Sequence, residues 1–195
     1  MKNTRKLIVT ALFSALSYIL MLLEFPLPFI IPSFIQFDFS ELPALICSFS
    51  AGPLWGGAVC IIKNVLHGLN SSTMWAGELS NMLLGLCFVV PAGFIYQKYK
   101  GRKSAFWGCV IGAFSAAILS IFINYFITYP VYIKLFMPES VILGMYQALL
   151  PSVDSILEAL LIFNTPFNLV KYMIIALITF LVYKRLSPII KGIKN

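Results

Sequence analysis

The stretch "LPALICSFSAGPLWGGAVCIIKNVLHG", Leu42–Gly68, decides the topology of this chain. It is apolar almost throughout and is interrupted once, at Gly52-Pro53. The stretch can form one long helix that crosses the membrane once. It can also form two short helices that meet at the proline and cross the membrane twice. Proline lacks a backbone N–H and clashes with the helical turn before it, so Pro53 favours a break. The charges elsewhere in the chain decide between the two arrangements.

The composition is that of an integral membrane protein. Of the 195 residues, 60% are hydrophobic and 11% are charged, and the mean hydropathy is +0.92. Soluble domains are nearer half apolar and a quarter charged, whereas several stretches here approach or exceed the ~20 apolar residues that span a bilayer. These stretches are Leu7–Phe25, Leu42–Ala51, Leu54–Leu66, Met74–Tyr96, Ala105–Tyr129 and Phe167–Tyr183. The first is long and has no small-residue cleavage site, so we expect a retained span and not a signal peptide.

The net charge of +7 orients these segments. The basic residues cluster at Lys2, Arg5 and Lys6, in the loop Lys98–Lys103, and in the tail at Lys184, Arg185, Lys191 and Lys194. Two helices within Leu42–Leu66 bring all three clusters to one side, which the positive-inside rule makes the cytoplasmic side. This explains the charge without nucleic acid as a partner. All seven acids then fall toward the outer side: Glu24, Asp38, Glu41, Glu78, Glu139, Asp154 and Glu158.

We therefore predict an all-α integral membrane protein with six transmembrane helices, both termini cytoplasmic and a long extracellular first loop. Residues 1–195 form a single transmembrane substrate-binding domain. The second helix is the weakest of the six spans, because its apolar run is short. It must include Phe37–Glu41 to cross the membrane, or else be tilted or cross it only in part.

Two segments on the outer side are longer than a turn. Pro26–Phe39, "PLPFIIPSFIQFDF", interleaves three prolines with aromatic residues, which predicts a loop folded over something. Pro138–Phe163 contains Pro151, Asp154 and Glu158, which make it a poor membrane span. A seventh span would also move the basic tail outside. We expect an outer interfacial helix or hairpin there.

Polar residues within the spans converge in this topology. Ionisable groups inside a bilayer are costly and are candidates for function. The polar residues within the spans all fall in the outer half of the membrane. They are Lys63, Asn64, His67, Glu78, Asn81, Asn124, Asn164, Asn168 and Lys171. The inner halves are almost purely apolar. This pattern predicts a pocket open to the outside, because a channel or self-contained carrier needs polar groups nearer the midplane.

Plainer explanations exist for the charged members of this set. Lys63 and His67 can snorkel to the outer interface. A Lys63–Glu78 pair, or a pair between Lys171 and an acid, can be purely structural. His67 is the single histidine and has no thiolate cluster beside it, so no metal site is expected. The cysteines Cys47, Cys60, Cys87 and Cys109 lack CxxC spacing and are interpreted as packing residues.

The asparagines also have plainer explanations. Asn164 can be a helix cap before Pro166. Asn124, inside the apolar run "SIFINYFITYP", can be interhelical glue. As a binding site, amides that donate and accept, together with aromatic rings, suit a planar, amphipathic, heteroaromatic ligand. The aromatic candidates are Phe25, Phe29, Phe34, Phe37, Phe39, Tyr125, Tyr129 and Phe167.

The sequence lacks the motifs of an enzyme or an ATPase. It has no phosphate loop, nucleophile–base pair or paired-carboxylate site, so if a substrate is moved uphill, the energy must come from elsewhere. Ala11 and Ala15 form an AxxxA pair on the first helix, where small residues let another helix approach closely. Gly108, Gly112 and Ala116 form a similar ridge on the fifth.

Several blocks in order resemble the substrate-binding S components of energy-coupling factor (ECF) vitamin transporters, and among these the riboflavin-specific branch. The blocks are "FDFSELPALI" (Phe37–Ile46), "GPLWGG", "KNVLHG" (Lys63–Gly68), "GELSN" (Gly77–Asn81) and "TPFNLVK" (Thr165–Lys171). The resemblance covers most of the chain. It implies six helices whose long first loop lids an outer pocket.

The resemblance also implies a ligand and partners. Similar proteins bind riboflavin through the first loop and the fourth to sixth helices, and Asn124, Asn168 and Lys171 match by motif. Ala11 and Ala15 match the contact motif for a transmembrane coupling subunit, which works with two cytoplasmic ATPases. The S component is thought to topple in the membrane and carry its pocket inward, which would explain the missing polar path.

We therefore expect a riboflavin-binding transport subunit in the bacterial plasma membrane, surrounded by lipids. Riboflavin or its monophosphate is the transported ligand, and neither a catalytic residue, a metal nor an enzyme cofactor is expected. The expected ligand contacts are Asn124, Asn168, Lys171, Asn164, Glu78, Phe39 and Phe29, and the expected partner contacts are Ala11 and Ala15. The alternatives are an S component for another vitamin, a small membrane enzyme acting on a lipid, and a structural subunit.

Overall fold

Helices make up most of the chain, with one short two-stranded hairpin. The computed structural model describes residues 3–192. The helices are α1 (Asn3–Met21), α2 (Glu41–Ala51), α3 (Pro53–Gly68), α4 (Ala76–Tyr99), α5 (Arg102–Ile123), α6 (Tyr129–Leu135), α7 (Glu139–Gln147), α8 (Ile156–Ala159) and α9 (Thr165–Gly192). The strands are β1 (Phe25–Pro26) and β2 (Gln36–Phe37). Two π-helical segments, Asn124–Thr128 and Leu160–Asn164, join α5 to α6 and α8 to α9.

Four continuous helical stretches of the described chain are long and apolar enough to cross a membrane. They are Asn3–Met21, Ala76–Tyr99, Arg102–Leu135 and Ile156–Val182. Their length and composition support the prediction of an all-α membrane protein. Lys2 and Lys194, and the side chains of Lys184, Arg185 and Lys191, lie outside the part of the chain that the structure describes.

The predicted break at Gly52-Pro53 is confirmed. Gly52 has φ +126°, a conformation that favours glycine, and Pro53 begins α3 at a position where its missing N–H costs nothing. Helix α2 has 11 residues and is buried at every position except Leu42. At 1.5 Å per residue it is about 17 Å long, well short of the ~30 Å hydrocarbon core. It is therefore an inner helix that starts at Glu41, in contact with α1, α3, α4 and α9.

Small residues set the distance between α4 and α5, which form the most extensive helix pair in the fold. A Cβ on Gly108 would lie 2.8 Å from the Ala92 carbonyl oxygen, and one on Gly112 would lie 2.5 Å from that of Phe88. The predicted ridge on α5 is thus used inside the bundle. Ala11 and Ala15 on α1 are exposed instead.

The first loop, residues 22–40, folds back over the helix ends as a hairpin. Strands β1 and β2 are antiparallel, and Phe25 pairs with Phe37. Ile31 and Phe37 are buried and pack with Phe167 of α9, as expected for a loop that covers something. The second long segment, residues 138–163, forms α7, a turn and α8, and α7 contacts α8. This agrees with the predicted helix or hairpin.

Candidate ligand-binding site

A cleft lies beneath the first loop, between the ends of α3, α4, α6 and α9. It has about 750 Å³ of space between its walls, part of it open to solvent. Five of the predicted ligand contacts line it: Asn124, Asn168, Lys171, Asn164 and Glu78.

Each π-helical segment carries one asparagine of the cleft. Asn124 begins the first segment and Asn164 ends the second, and both side chains are buried. A π turn inserts one residue into a helix and often marks a functional position. Asn124 Oδ1 accepts a hydrogen bond of 2.9 Å from the Ser80 hydroxyl of α4. Its Nδ2 group remains available to the cleft.

Asn164 is held by two tyrosines. Its Oδ1 accepts a 2.6 Å hydrogen bond from the Tyr146 hydroxyl, and its Nδ2 donates to the Tyr129 oxygen at 3.0 Å. The two hydroxyls also contact each other. Burial, reinforced by Tyr129, raises the pKa of Tyr146 well above its usual range, so its phenol stays protonated and can donate. Asn164 therefore supports the cleft wall, which a cap alone does not explain.

Asn168 and Lys171 project from the first turns of α9 into the cleft. Within the described part of the chain, the Asn168 amide has no hydrogen-bond partner, so it can both donate to and accept from a ligand. Lys171 Nζ lies 2.8 Å from Asp38 Oδ2 and 3.5 Å from Glu41 Oε2. The lysine is therefore anchored by two carboxylates while it faces the cleft.

Four buried side chains, Asp38, Glu41, Lys63 and Lys171, form what we call the charge cluster. Lys63 Nζ lies 2.6 Å from Glu41 Oε1, and Lys63 and Glu41 are fully buried. Burial alone would raise the pKa of Asp38, but Lys171 and Lys63 outweigh it and hold that pKa below its usual range. The cluster has two positive and two negative groups and is neutral. Snorkelling is therefore wrong for Lys63, and so is its pairing with Glu78.

Glu78 pairs with His67 instead, at the mouth of the cleft. His67 Nδ1 lies 2.9 Å from Glu78 Oε1, and Nε2 lies 3.5 Å from Glu24 Oε1. The hydroxyls of Ser71 and Thr73 donate to Glu78 Oε2 at 2.8 and 3.2 Å. Burial raises the pKa of Glu24, and the nearby His67 opposes that shift. The start of the first loop is thus tied to α3 and α4.

Two predicted aromatic contacts lie elsewhere. Phe29 is at a turn of the first loop and is 95% exposed. Phe39 packs edge-on against Phe37, with ring centroids 5.2 Å apart, and does not line the cleft. Phe29 lies in the connection between the two strands, whereas Phe34 and Ile35, closer to β2, line the cleft. The aromatic lining comes from Phe34, Tyr129, Tyr132, Phe167 and Tyr172.

Sequence reasoning missed three supports of the site. Asp38 and Glu41 were assigned only to the outer side, and Tyr146 was not considered at all. Asp38 and Glu41 lie within "FDFSELPALI", next to an apolar helix. Two acids in that position need charged or polar partners, so the block could have indicated their role in the site. Tyr146 had no local signal, because its partners are 17 and 18 residues away across a turn.

Apolar helices that enclose a cleft of amides and paired charges under a loop define a membrane substrate-binding protein. The family model of the ECF transporter substrate-specific component matches residues 5–183. The chain belongs to that family, the S components of ECF transporters.

Relatives and a solved structure agree over nearly the whole chain. The riboflavin transporter RibU of Staphylococcus aureus (strain TCH60) is 30% identical over 193 residues, covering 99% of this chain and 96% of that protein. The riboflavin transporter FmnP of Bacillus subtilis (strain 168) is 30% identical over 190 residues, covering 95% and 94%. A solved S component of a bacterial ECF transporter superimposes with a TM-score of 0.75 at 31% identity, covering 98% of this chain and 99% of that one.

Proposed function

We propose that this chain is the riboflavin-binding S component of an ECF transporter, which captures the vitamin outside the cell. The observation that carries the proposal is the meeting of Asn124, Asn168 and Lys171 in one cleft, although they come from two distant parts of the chain. The relatives named as riboflavin transporters, which match almost end to end, support the choice of vitamin.

The chemistry of the cleft suits a flavin. The isoalloxazine ring is planar, with apolar faces and an edge of alternating acceptors and donors. The amides of Asn124 and Asn168 can serve both types of group, and the rings of Phe34, Phe167 and Tyr172 offer surfaces for stacking. The two positive and two negative groups of the charge cluster balance one another. The cluster therefore does not require a charged ligand, and an uncharged ligand such as riboflavin suits it.

The proposed topology has six membrane helices, with both termini in the cytoplasm of a bacterial cell and residues 1–195 as one domain. The cleft then opens to the outside beneath the first loop. Helices α2 and α3 are each too short to cross the membrane by length alone. As an antiparallel pair, they bring the chain back to the side of the membrane on which α2 begins. This arrangement keeps the basic loop Lys98–Lys103 inside.

The proposed partner surface is the exposed ridge of Ala11 and Ala15 on α1. The opposite face of that helix, with Thr10, Ser14 and Ser17, is buried against the bundle. Small exposed residues at this spacing allow a second helix to come close. We propose that this helix belongs to a transmembrane coupling subunit, which two cytoplasmic ATPases drive.

Titration of purified protein with riboflavin tests the proposal. We expect saturable quenching of riboflavin fluorescence at submicromolar concentrations, with no competition from thiamine or biotin. Binding of thiamine or biotin in place of riboflavin would move the chain to another branch of the family. Absence of any vitamin binding would favour a structural subunit or an enzyme acting on a lipid.

A further inference from the structure

Asp38, at the end of the first loop, contacts two residues that line the ligand cleft, Lys171 and Asn81. It lies at the end of the loop, three residues before α2, and is 1% exposed. Its Oδ2 lies 2.8 Å from Lys171 Nζ of α9, a residue 133 positions further along the chain. The last part of the loop and the lysine at the cleft are thus held together by a single ion pair.

The Asp38 carboxylate has one defined orientation. Its Oδ1 accepts a hydrogen bond of 2.7 Å from the Ser40 backbone N–H and also contacts the Ser40 hydroxyl. Its Oδ2 accepts a second bond, from Asn81 Nδ2 of α4 at 3.3 Å. Both oxygens are therefore fixed before Lys171 is considered, so the carboxylate is a rigid acceptor for the ammonium group.

The lysine is oriented in turn. An ammonium group has three N–H donors, of which one bonds Asp38 Oδ2, while Glu41 Oε2 lies 3.5 Å away as an ion-pair partner. Glu41 is itself fixed by Lys63 at 2.6 Å. Two anchored carboxylates thus hold the ammonium group, and Lys171 still has donors free to face the cleft that it lines. A flexible side chain is ordered before the ligand arrives, which reduces the entropy cost of binding.

We propose that Asp38 is a positioning residue of the binding site: its ion pair with Lys171 holds that lysine so that a free N–H donor faces the ligand. The inference rests on the proposed function, in that Lys171 is taken as a riboflavin contact. Asp38 acts through Lys171 and does not itself line the cleft.

A purely structural role predicts a different pattern. In that case Asp38 would only fasten the loop to Ser40 and Asn81, and its loss would weaken binding whatever residue stood at position 171. The two roles are separated by a double-mutant cycle, since groups that act through one another are non-additive.

The cycle uses Asp38→Asn, Lys171→Met and the double variant, each titrated with riboflavin in detergent. Asparagine keeps an acceptor for Ser40 but turns an NH₂ group toward the ammonium. We expect Asp38→Asn to raise the Kd at least tenfold in the parent, and less than twofold in the Lys171→Met background. Lys171→Met retains the Ser40 and Asn81 bonds to Asp38 but removes one positive charge from the buried cluster, so the fold of each variant is checked by circular dichroism before titration. Asp154→Asn, at an exposed acid, is the control and should leave the Kd unchanged.

Asp38→Glu provides a second route if Asp38→Asn does not fold, because it keeps the charge and moves the carboxylate by one methylene. We expect it to raise the Kd several-fold in the parent and not in the Lys171→Met background. Equal fold-changes in both backgrounds, or a parent-like Kd for the Asp38 variants, would overturn the positioning role. If the parent protein itself fails to bind riboflavin, the proposed function is refuted and this inference falls with it.

Discussion

Replacing Gly112 with alanine tests how closely α4 and α5 must pack for the cleft to keep its shape. The added Cβ would lie 2.5 Å from the Phe88 carbonyl oxygen and 3.1 Å from the Phe88 ring. The shortest common distance between carbon and a carbonyl oxygen is about 3.3 Å. The two helices must therefore separate locally by several tenths of an ångström, because a backbone oxygen cannot rotate away.

The expected cost follows from this clash. Overpacking a tight interface typically costs about 1–3 kcal/mol, and for a chain of this size each kcal/mol shifts Tm by about 2–4 °C. We therefore expect Gly112→Ala to lower Tm by about 2–12 °C. Riboflavin affinity should fall as well, since the 2.9 Å hydrogen bond from Ser80 of α4 to Asn124 crosses the same interface.

Gly144→Ala is the matched control. Gly144 lies within α7, and a Cβ there would meet nothing within 4 Å. Alanine should stabilise that helix by about 0.5–1 kcal/mol relative to glycine. The assay is thermal unfolding in detergent, followed by circular dichroism, with a riboflavin titration of each variant. If Gly112→Ala unfolds at or above the parent Tm, the close approach of α4 and α5 described above is wrong.

Three further changes test the site and its surroundings. Asn124→Leu should weaken riboflavin binding about tenfold, because it removes a ligand donor and leaves the Ser80 hydroxyl unpaired; an unchanged Kd would remove Asn124 from the site. Ala15→Trp should leave riboflavin binding intact but abolish uptake by cells, whereas Ile111→Trp, on an exposed face of α5, should permit it; equal uptake would refute the partner surface. Tyr146→Phe should cost about 1–3 kcal/mol by leaving the Asn164 oxygen without its donor, and Tyr125→Phe should leave Tm unchanged, since Tyr125 is 41% exposed.

The parts of this fold that the sequence predicts depend on strong local signals. A glycine followed by a proline in an apolar run favours a helix break, and α2 and α3 meet at Gly52-Pro53 as expected. Amides and a lysine within apolar helices need partners, so the meeting of Asn124, Asn168 and Lys171 in one cleft was also predictable.

The parts that the sequence does not predict depend on register. Aromatic residues recur throughout the first loop, and composition alone does not say which of them face inward. In the folded loop Phe37 is buried in the strand pair with Phe25, whereas Phe29 lies between the two strands and is exposed. The π-helical segments are similarly invisible, because one inserted residue changes which side chains face the cleft without changing the hydrophobic pattern.

The break at Gly52-Pro53 also determines the chemistry of the site. Glu41 lies 11 residues before Gly52 and Lys63 lies 11 after it, so an antiparallel pair of helices brings them to the same height, where their charged atoms are 2.6 Å apart. In one continuous helix, their separation of 22 residues would place them about 33 Å apart. A buried ion pair seldom adds much net stability, because desolvation offsets the attraction. A role in orienting Lys171 gives a reason for the Glu41–Lys63 ion pair. Lys63 fixes Glu41, and Glu41 together with Asp38 fixes Lys171. The helix break makes these contacts possible.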